Sequence, residues 1–278
     1  MGRALAVTAY SDDFFRLKLA GSYASAQRIV PLVLDLVPAR SVLDVGCGTG
    51  HFLRAFAEAG IDDFLGIDGD YVPRHQLTIE ESRFRAVDLA GGFDLGRRFD
   101  LAVSLEVAEH LPPASADTFV ASLVRHASSI LFSAAIPYQG GDGHLNEQWP
   151  SYWAERFERH GYRAYDVIRP ALWAIPQVEW WYRQNAVLFC DDAGHAASAR
   201  LAASAPVAAE LLDRVHPEAY LIAQGVGQDR LWAPERKFWR ALARLNVTSG
   251  GLRAIDARLF GGRARRAYYA LRQFLASR

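Results

Sequence analysis

The residues best placed to do chemistry fall into two groups. The first is a run of glycines behind a carboxylate, Asp44-Val45-Gly46-Cys47-Gly48-Thr49-Gly50. Glycines lack the Cβ atoms that hold a ligand away from backbone, and they accept positive φ in a tight turn. Asp44 lies inside the apolar run Val42–Val45, where a carboxylate is costly to bury without a partner. Two further acids follow: Asp68, at the ~20-residue spacing of a ribose-binding carboxylate, and Asp88 beyond it.

The second group is polar and aromatic. Ser104–Leu111 reads SLEVAEHL and supplies Glu106, Glu109 and His110; Ile136–Trp153 reads IPYQGGDGHLNEQWPSYW. Imidazole is the natural proton acceptor near neutral pH, so His144 is the first candidate for a general base and His110 the second. Polar groups beside aromatic walls suit an organic substrate. On that ground Tyr138, His144, Asn146, Glu147, Gln148, Trp149 and the later Trp173 are the candidate substrate-binding residues. The competing view makes Glu106 and Glu109 simple helix-start charges, and the long loop a solvated connector with docked tryptophans. Asp142, His144 and Glu147 lack the spacing of a ligand set, so no metal is expected.

These groups need a scaffold that brings them to one edge. The pattern predicts strands at Val42–Val45, Asp63–Asp68, Phe84–Val87, Phe99–Leu105 and Ile130–Ala134. Helices alternate with them: one or two over Asp12–Val37 with Pro31 and Pro38 as punctuation, then His51–Ala59, Ala114–His126 and Tyr152–His160. Arg163–Ile168 and Ala186–Cys190 would close the sheet as an antiparallel hairpin around the aromatic stretch Trp173–Tyr182. The alternation implies a doubly wound, mostly parallel α/β sheet of seven strands, with ligands at its carboxyl edge. Asp44 lies in the first strand just before its glycine turn, Asp68, Asp88 and Glu106 follow strand ends, and Tyr71 either stacks on a ligand there or covers an apolar edge.

With those motifs in place the chain resembles the class I S-adenosylmethionine-dependent methyltransferases. The matching segments are Val42–Gly50, Gly66–Asp68, Val87–Leu89 and Ser104–Leu111. The last is most similar to the ubiquinone-biosynthesis type of O-methyltransferase, where Glu-x-x-Glu-His follows the fourth strand. The resemblance implies that Gly46, Cys47, Gly48 and Gly50 cradle the methionine part of the cofactor. It places Asp68 on the ribose hydroxyls and Asp88 on the adenine amino group. Asp44, Gly69, Leu89, Leu105 and Glu106 complete the implied cofactor set. The expected product is S-adenosylhomocysteine, and the expected acceptor is a small polar molecule methylated at a hydroxyl: a sugar, a glycan precursor or a specialised metabolite. The alternatives are an N-methyltransferase, a dinucleotide-binding oxidoreductase and a non-catalytic cofactor-binding module.

Composition narrows the class further. The 278 residues carry no formal net charge, which argues against a nucleic-acid partner held by a global basic field. Two cysteines, Cys47 and Cys190, provide no disulfide framework, and no apolar run reaches membrane-spanning length. A cytoplasmic enzyme is the expectation, with residues 1–40 as a helical lid segment, 41–190 as the catalytic domain and 191–278 as a helical extension. In that extension, helices are expected near 193–210, Val207–Val215 and Glu235–Leu245. The arginine-rich stretch Gly251–Arg278 reads as a docking helix with a charged outer face. Trp173, Trp180, Trp181 and Tyr182 either wall the acceptor site, form a homodimer surface or simply pack the closing hairpin.

Overall fold

The strands alternate their side chains between two apolar layers, and that alternation builds the molecule. The structure, a computed structural model, describes residues 12–223, with side chains from residue 21. Seven strands form one sheet: β1 (Ser41–Val45), β2 (Asp63–Asp68), β3 (Phe84–Ala86), β4 (Leu101–Leu105), β5 (Ser129–Ser133), β6 (Arg163–Tyr165) and β7 (Val187–Cys190). Their order is β3-β2-β1-β4-β5-β7-β6, with β7 antiparallel to both its neighbours and every other pairing parallel.

Val42, Leu101, Val103, Leu131 and Leu188 face one layer, packed with Ile29 and Val33 of α1 (Asp12–Leu36) and Phe56 of α2 (His51–Glu58). Their sequence neighbours Leu43, Ala102, Ile130 and Phe132 face the other. There they meet Phe119 and Leu123 of α3 (Ala116–His126) and Trp153 and Phe157 of α4 (Pro150–Glu158). Strands buried on both faces account for the unbroken apolar runs in the sequence. A helix of 25 residues runs through Pro31, so that proline punctuates nothing.

Several elements depart from the sequence expectation. Ile168 starts a short helix, α5 (Ile168–Leu172), instead of ending a strand, and α6 (Trp180–Asn185) fills the aromatic stretch. Trp180 and Tyr182 are buried within the chain and the Trp173 ring packs on His216, so this chain itself takes up aromatics that could have formed a dimer surface. The alanine-rich stretch gives only α7 (Asp192–Ala196) and 3-10 turns at Leu201–Ala203 and Ala209–Leu211 before α8 (Pro217–Ala223). The expected Val207–Val215 helix is absent because its backbone is engaged elsewhere: Val207 donates to Ala164 O, and Leu212 O accepts from Arg169.

The chain divides into two compact units, Met1–Ala223 and Gln224–Arg278. Residues 191–223 thus belong to the first unit, beyond the expected boundary at 190. The expected helix Glu235–Leu245 and the basic stretch Gly251–Arg278 lie outside the described residues.

Candidate active site

Backbone groups build the cluster around the glycine turn. Gly46 N and Cys47 N donate to Ile67 O, at 2.8 and 3.2 Å, tying the glycine turn to the end of β2. Gly46 takes φ +81°, and a Cβ there would run into Val107, the residue after Glu106. This close approach joins the turn to the end of β4. Gly50 takes φ +86° and opens α2. Gly48 N donates to Asp68 Oδ2 at 2.7 Å, while Gly69 N and the Tyr71 hydroxyl donate to Asp68 Oδ1, each at 2.6 Å.

Asp44 is buried, and among the described residues no group donates to it. Burial, and after it the Asp68 charge, pushes its carboxyl up to about 8. Asp88 is exposed after β3 and accepts from Ala90 N; Leu89 is buried and Leu105 half-buried. These groups suit S-adenosylmethionine. Asp68 accepts from a hydroxyl here as it would from a ribose, and a Cβ at Gly48 would meet only open space.

A second, neighbouring cluster is made of side chains drawn from distant parts of the chain. Glu106 follows β4 with φ +57°, a left-handed conformation that is unfavourable for a non-glycine residue and is fixed by its surroundings. Its N–H donates to Ser133 O and Oγ. Asn185 Nδ2 donates to one carboxylate oxygen at 3.1 Å and Gln139 Nε2 to the other at 3.0 Å. Gln139 Oε1 in turn accepts from Gln184 Nε2, Asn185 Nδ2 and Ile136 N. Burial raises the Glu106 pKa while these donors oppose the rise.

Next to this cage lies a dyad. Glu147 accepts from Tyr138 N and Gly140 N, at 2.8 and 2.9 Å, and pairs with His144 Nδ1 at 2.9 Å. A carboxylate only accepts, so Nδ1 carries the proton and Nε2 is the basic nitrogen of the neutral ring. Leu145 N and Asn146 N donate to Glu109 O, which brings the loop onto the segment after β4. The Glu109 carboxylate is completely buried, with no side chain donating to either oxygen. Burial, and then the charges of Glu106 and Glu147, hold it well above the usual carboxylate range. Ligand atoms of Glu109, His110 and His144 lie within 4.8 Å of one another, and the two imidazoles meet edge to face.

Asn146 is buried with Nδ2 unpartnered, and its Oδ1 accepts from Gln148. Trp149 sits partly exposed at the start of α4, and Tyr138 is exposed. The structure thus brings together Glu106, Tyr138, His144 and Glu147 with Gln139. It places Trp173 elsewhere, on His216 behind α6. Sequence reasoning missed Gln139, Gln184 and Asn185. The available signal was a pair of amides between an aromatic helix and a buried strand.

Residues 212–218 hold this arrangement from behind. Asp213 accepts from Ser151 N and Oγ at the start of α4, and His216 N donates to Gln184 Oε1. Arg169, fully buried and paired with Asp166 at 2.7 and 2.9 Å, donates to both Gln184 O and Leu212 O. Arg183 engages Trp173 O and Glu218.

The chain is similar to several known proteins. A ubiquinone biosynthesis O-methyltransferase from Methylococcus capsulatus is 28% identical over 128 residues, 41% of this chain and 53% of that protein. The match therefore spans about half of that relative's length. Among solved structures, the sugar N-methyltransferase KedS8 of Streptoalloteichus aligns with a TM-score of 0.50 at 17% identity, over 69% of this chain and 99% of its own. DesVI of Streptomyces venezuelae aligns at 0.48 and 19%, over 64% and 96%. At such identities the likeness to KedS8 is one of fold. The family described as a methyltransferase domain matches residues 19–174, more than half of the sequence. The chain belongs to that family, and its motifs place it in the class I S-adenosylmethionine-dependent branch.

Proposed function

We propose that this protein transfers a methyl group from S-adenosylmethionine to a small polar organic molecule, with His144 as the general base. The observation that supports this most is the His144–Glu147 pair, held by two backbone N–H groups on the loop that follows β5. When bound, the cofactor supplies an electrophilic methyl on sulfonium and leaves as S-adenosylhomocysteine.

The chain's own groups do the rest. Asp68 and the glycine turn orient the donor, and Asp44 offers a carboxylate to its positively charged part. Glu106, fixed by Asn185 and Gln139, forms the wall between the two halves. Glu147 keeps the proton on His144 Nδ1, so Nε2 accepts the proton that the nucleophile must lose. General-base assistance of this kind contributes about 10²–10⁴ in rate. Aligning nucleophile and methyl group while excluding water supplies much of the remainder.

The acceptor is a sugar, glycan precursor or specialised metabolite whose reacting atom is a proton-bearing oxygen or nitrogen. Family membership sets aside the dinucleotide oxidoreductase. A radiolabelled methyl-transfer screen against such molecules, with His144→Ala alongside, tests the proposal. Transfer by the natural chain and its loss in the variant support the reading; equal transfer by both removes His144 as base.

A further inference from the structure

Most of the hydrogen-bonding capacity of Asp68 is taken up inside the chain. Gly48 N donates to Oδ2 at 2.7 Å, and Gly69 N and the Tyr71 hydroxyl each donate to Oδ1 at 2.6 Å. A carboxylate offers about four lone-pair positions, so about one remains. A ribose brings two adjacent hydroxyls to such a carboxylate, and both are accommodated only if one of these three donors leaves. Gly48 N and Gly69 N are backbone groups of the glycine turn and the end of β2. The Tyr71 hydroxyl is carried on a rotatable side chain, and Tyr71 is 71% exposed.

The local backbone suits a side chain that moves alone. Tyr71 lies in a turn closed by Val72 N on Gly69 O at 3.2 Å. Val72 is buried, and Arg74 reaches back to Val72 O and to Asp70. With the turn held on both sides, rotation of the tyrosine is enough to lift its hydroxyl from Asp68. The ring lies directly against Gly69, where a Cβ would stand 2.1 Å from Cε1 and 2.5 Å from Cδ1. Gly69 takes no positive φ, so the ring and not the backbone is what requires a glycine there.

We infer that the Tyr71 hydroxyl competes with the ribose of S-adenosylmethionine for Asp68, so that the cofactor binds as Tyr71 swings off the carboxylate. This inference deepens the methyl-transfer reading and rests on it. Without the ribose, the tyrosine keeps a carboxylate that is 4% exposed supplied with a third donor. The exchange weakens binding, because apparent affinity is reduced by the fraction of molecules in which Tyr71 has swung away. A ring that stacked on the ligand would act in the opposite sense and strengthen binding.

Calorimetric titration of the full-length protein and of Tyr71→Phe with S-adenosylhomocysteine tests this. Phenylalanine keeps the ring and removes only the competing donor. The variant should bind about three to ten times more tightly, the range of one hydrogen bond, while its melting temperature without ligand is unchanged or lower. A hydroxyl with a purely structural role does not tighten binding when it is removed. Adenosine and its dideoxy analogue, which lacks both ribose hydroxyls, are run as competitors of S-adenosylhomocysteine. Only adenosine should gain from the variant, since the analogue brings no donor to Asp68. In fluorine NMR of the natural chain labelled with fluorotyrosine, the resonance that Tyr71→Phe lacks should move on saturation with S-adenosylhomocysteine.

Equal or weaker binding by Tyr71→Phe, with the natural chain still binding, overturns the competition and leaves methyl transfer standing. An equal gain for both nucleosides also overturns it, by making the ring itself the obstacle, and so does a Tyr71 resonance that stays in place. Saturable binding by the variant where the natural chain shows none is the strongest form of the expected result. If neither chain binds S-adenosylhomocysteine, the methyl-transfer reading falls first and the inference with it.

Discussion

The glycine-turn cluster around Asp68 and the side-chain cluster around Glu106 and His144 meet at Val107, packed on Gly46, yet they are built on different principles. The first is local and largely backbone: one strand, one turn and the end of the next strand, closed by Gly46 N, Cys47 N and Gly48 N. The second is assembled from side chains at the ends of β4 and β5, on α5 and α6, and in the 212–218 segment. A backbone site withstands sequence change away from its glycines. A side-chain network depends on each of its members.

That contrast can be broken in several ways. His144→Ala should show the largest effect, a fall in kcat of about 10²–10⁴ with S-adenosylhomocysteine affinity unchanged. Steady-state kinetics beside calorimetry read this, and a parallel loss of cofactor affinity would join the two halves. Arg169→Ala should come next. It leaves Asp166 buried without its Arg169 partner and frees Leu212 O and Gln184 O, so unfolding free energy in urea should drop by about 3–5 kcal/mol.

Asp68→Ala should weaken cofactor binding roughly hundredfold by removing charge-assisted hydrogen bonds, with little effect on exchange protection in residues 136–149. Its neighbour Asp44 gives a pH test. Its folded pKa, about 8, exceeds the ordinary value near 4, so the folded chain binds the extra proton between those limits. Stability of the cofactor-free protein therefore falls as pH rises from about 4 to about 8. Asp44→Asn should match the natural chain at the lower pH in thermal melts and exceed it at the higher.

The smallest effect belongs to Asp213→Ala, which removes the side-chain acceptor at the start of α4 and should cost about 1 kcal/mol. Hydrogen exchange should rise selectively in residues 136–149, and Asp213→Asn should restore most of the protection. A uniform rise across the chain would mean that the segment only stabilises the fold.

The same contrast explains what was legible in the sequence. Glycine turns and acids after apolar strands are local signals, so Asp44, Gly46, Gly48 and Asp68 come together as expected. The sheet was legible for the same reason, because strands buried on both faces leave unbroken apolar runs. Polar density in 136–153 marked His144 and Glu147, though not that Glu147 fixes the His144 tautomer through bonds to Tyr138 N and Gly140 N. Gln139, Gln184 and Asn185 were illegible because amides are common everywhere and their meaning here comes from pairing across 33 or more residues. The segment Val207–Val215 looked helical by composition. Its carbonyl at Leu212 instead satisfies the buried guanidinium of Arg169, a demand set by tertiary structure alone.

Calorimetric titration with S-adenosylhomocysteine, on the natural chain, Asp68→Ala and Asn185→Ala, tests the central claim most directly. The account predicts saturable binding by the natural chain, its loss in Asp68→Ala and nearly natural affinity in Asn185→Ala. No binding by the natural chain, or equal losses in both variants, would contradict a donor site built independently of the acceptor network.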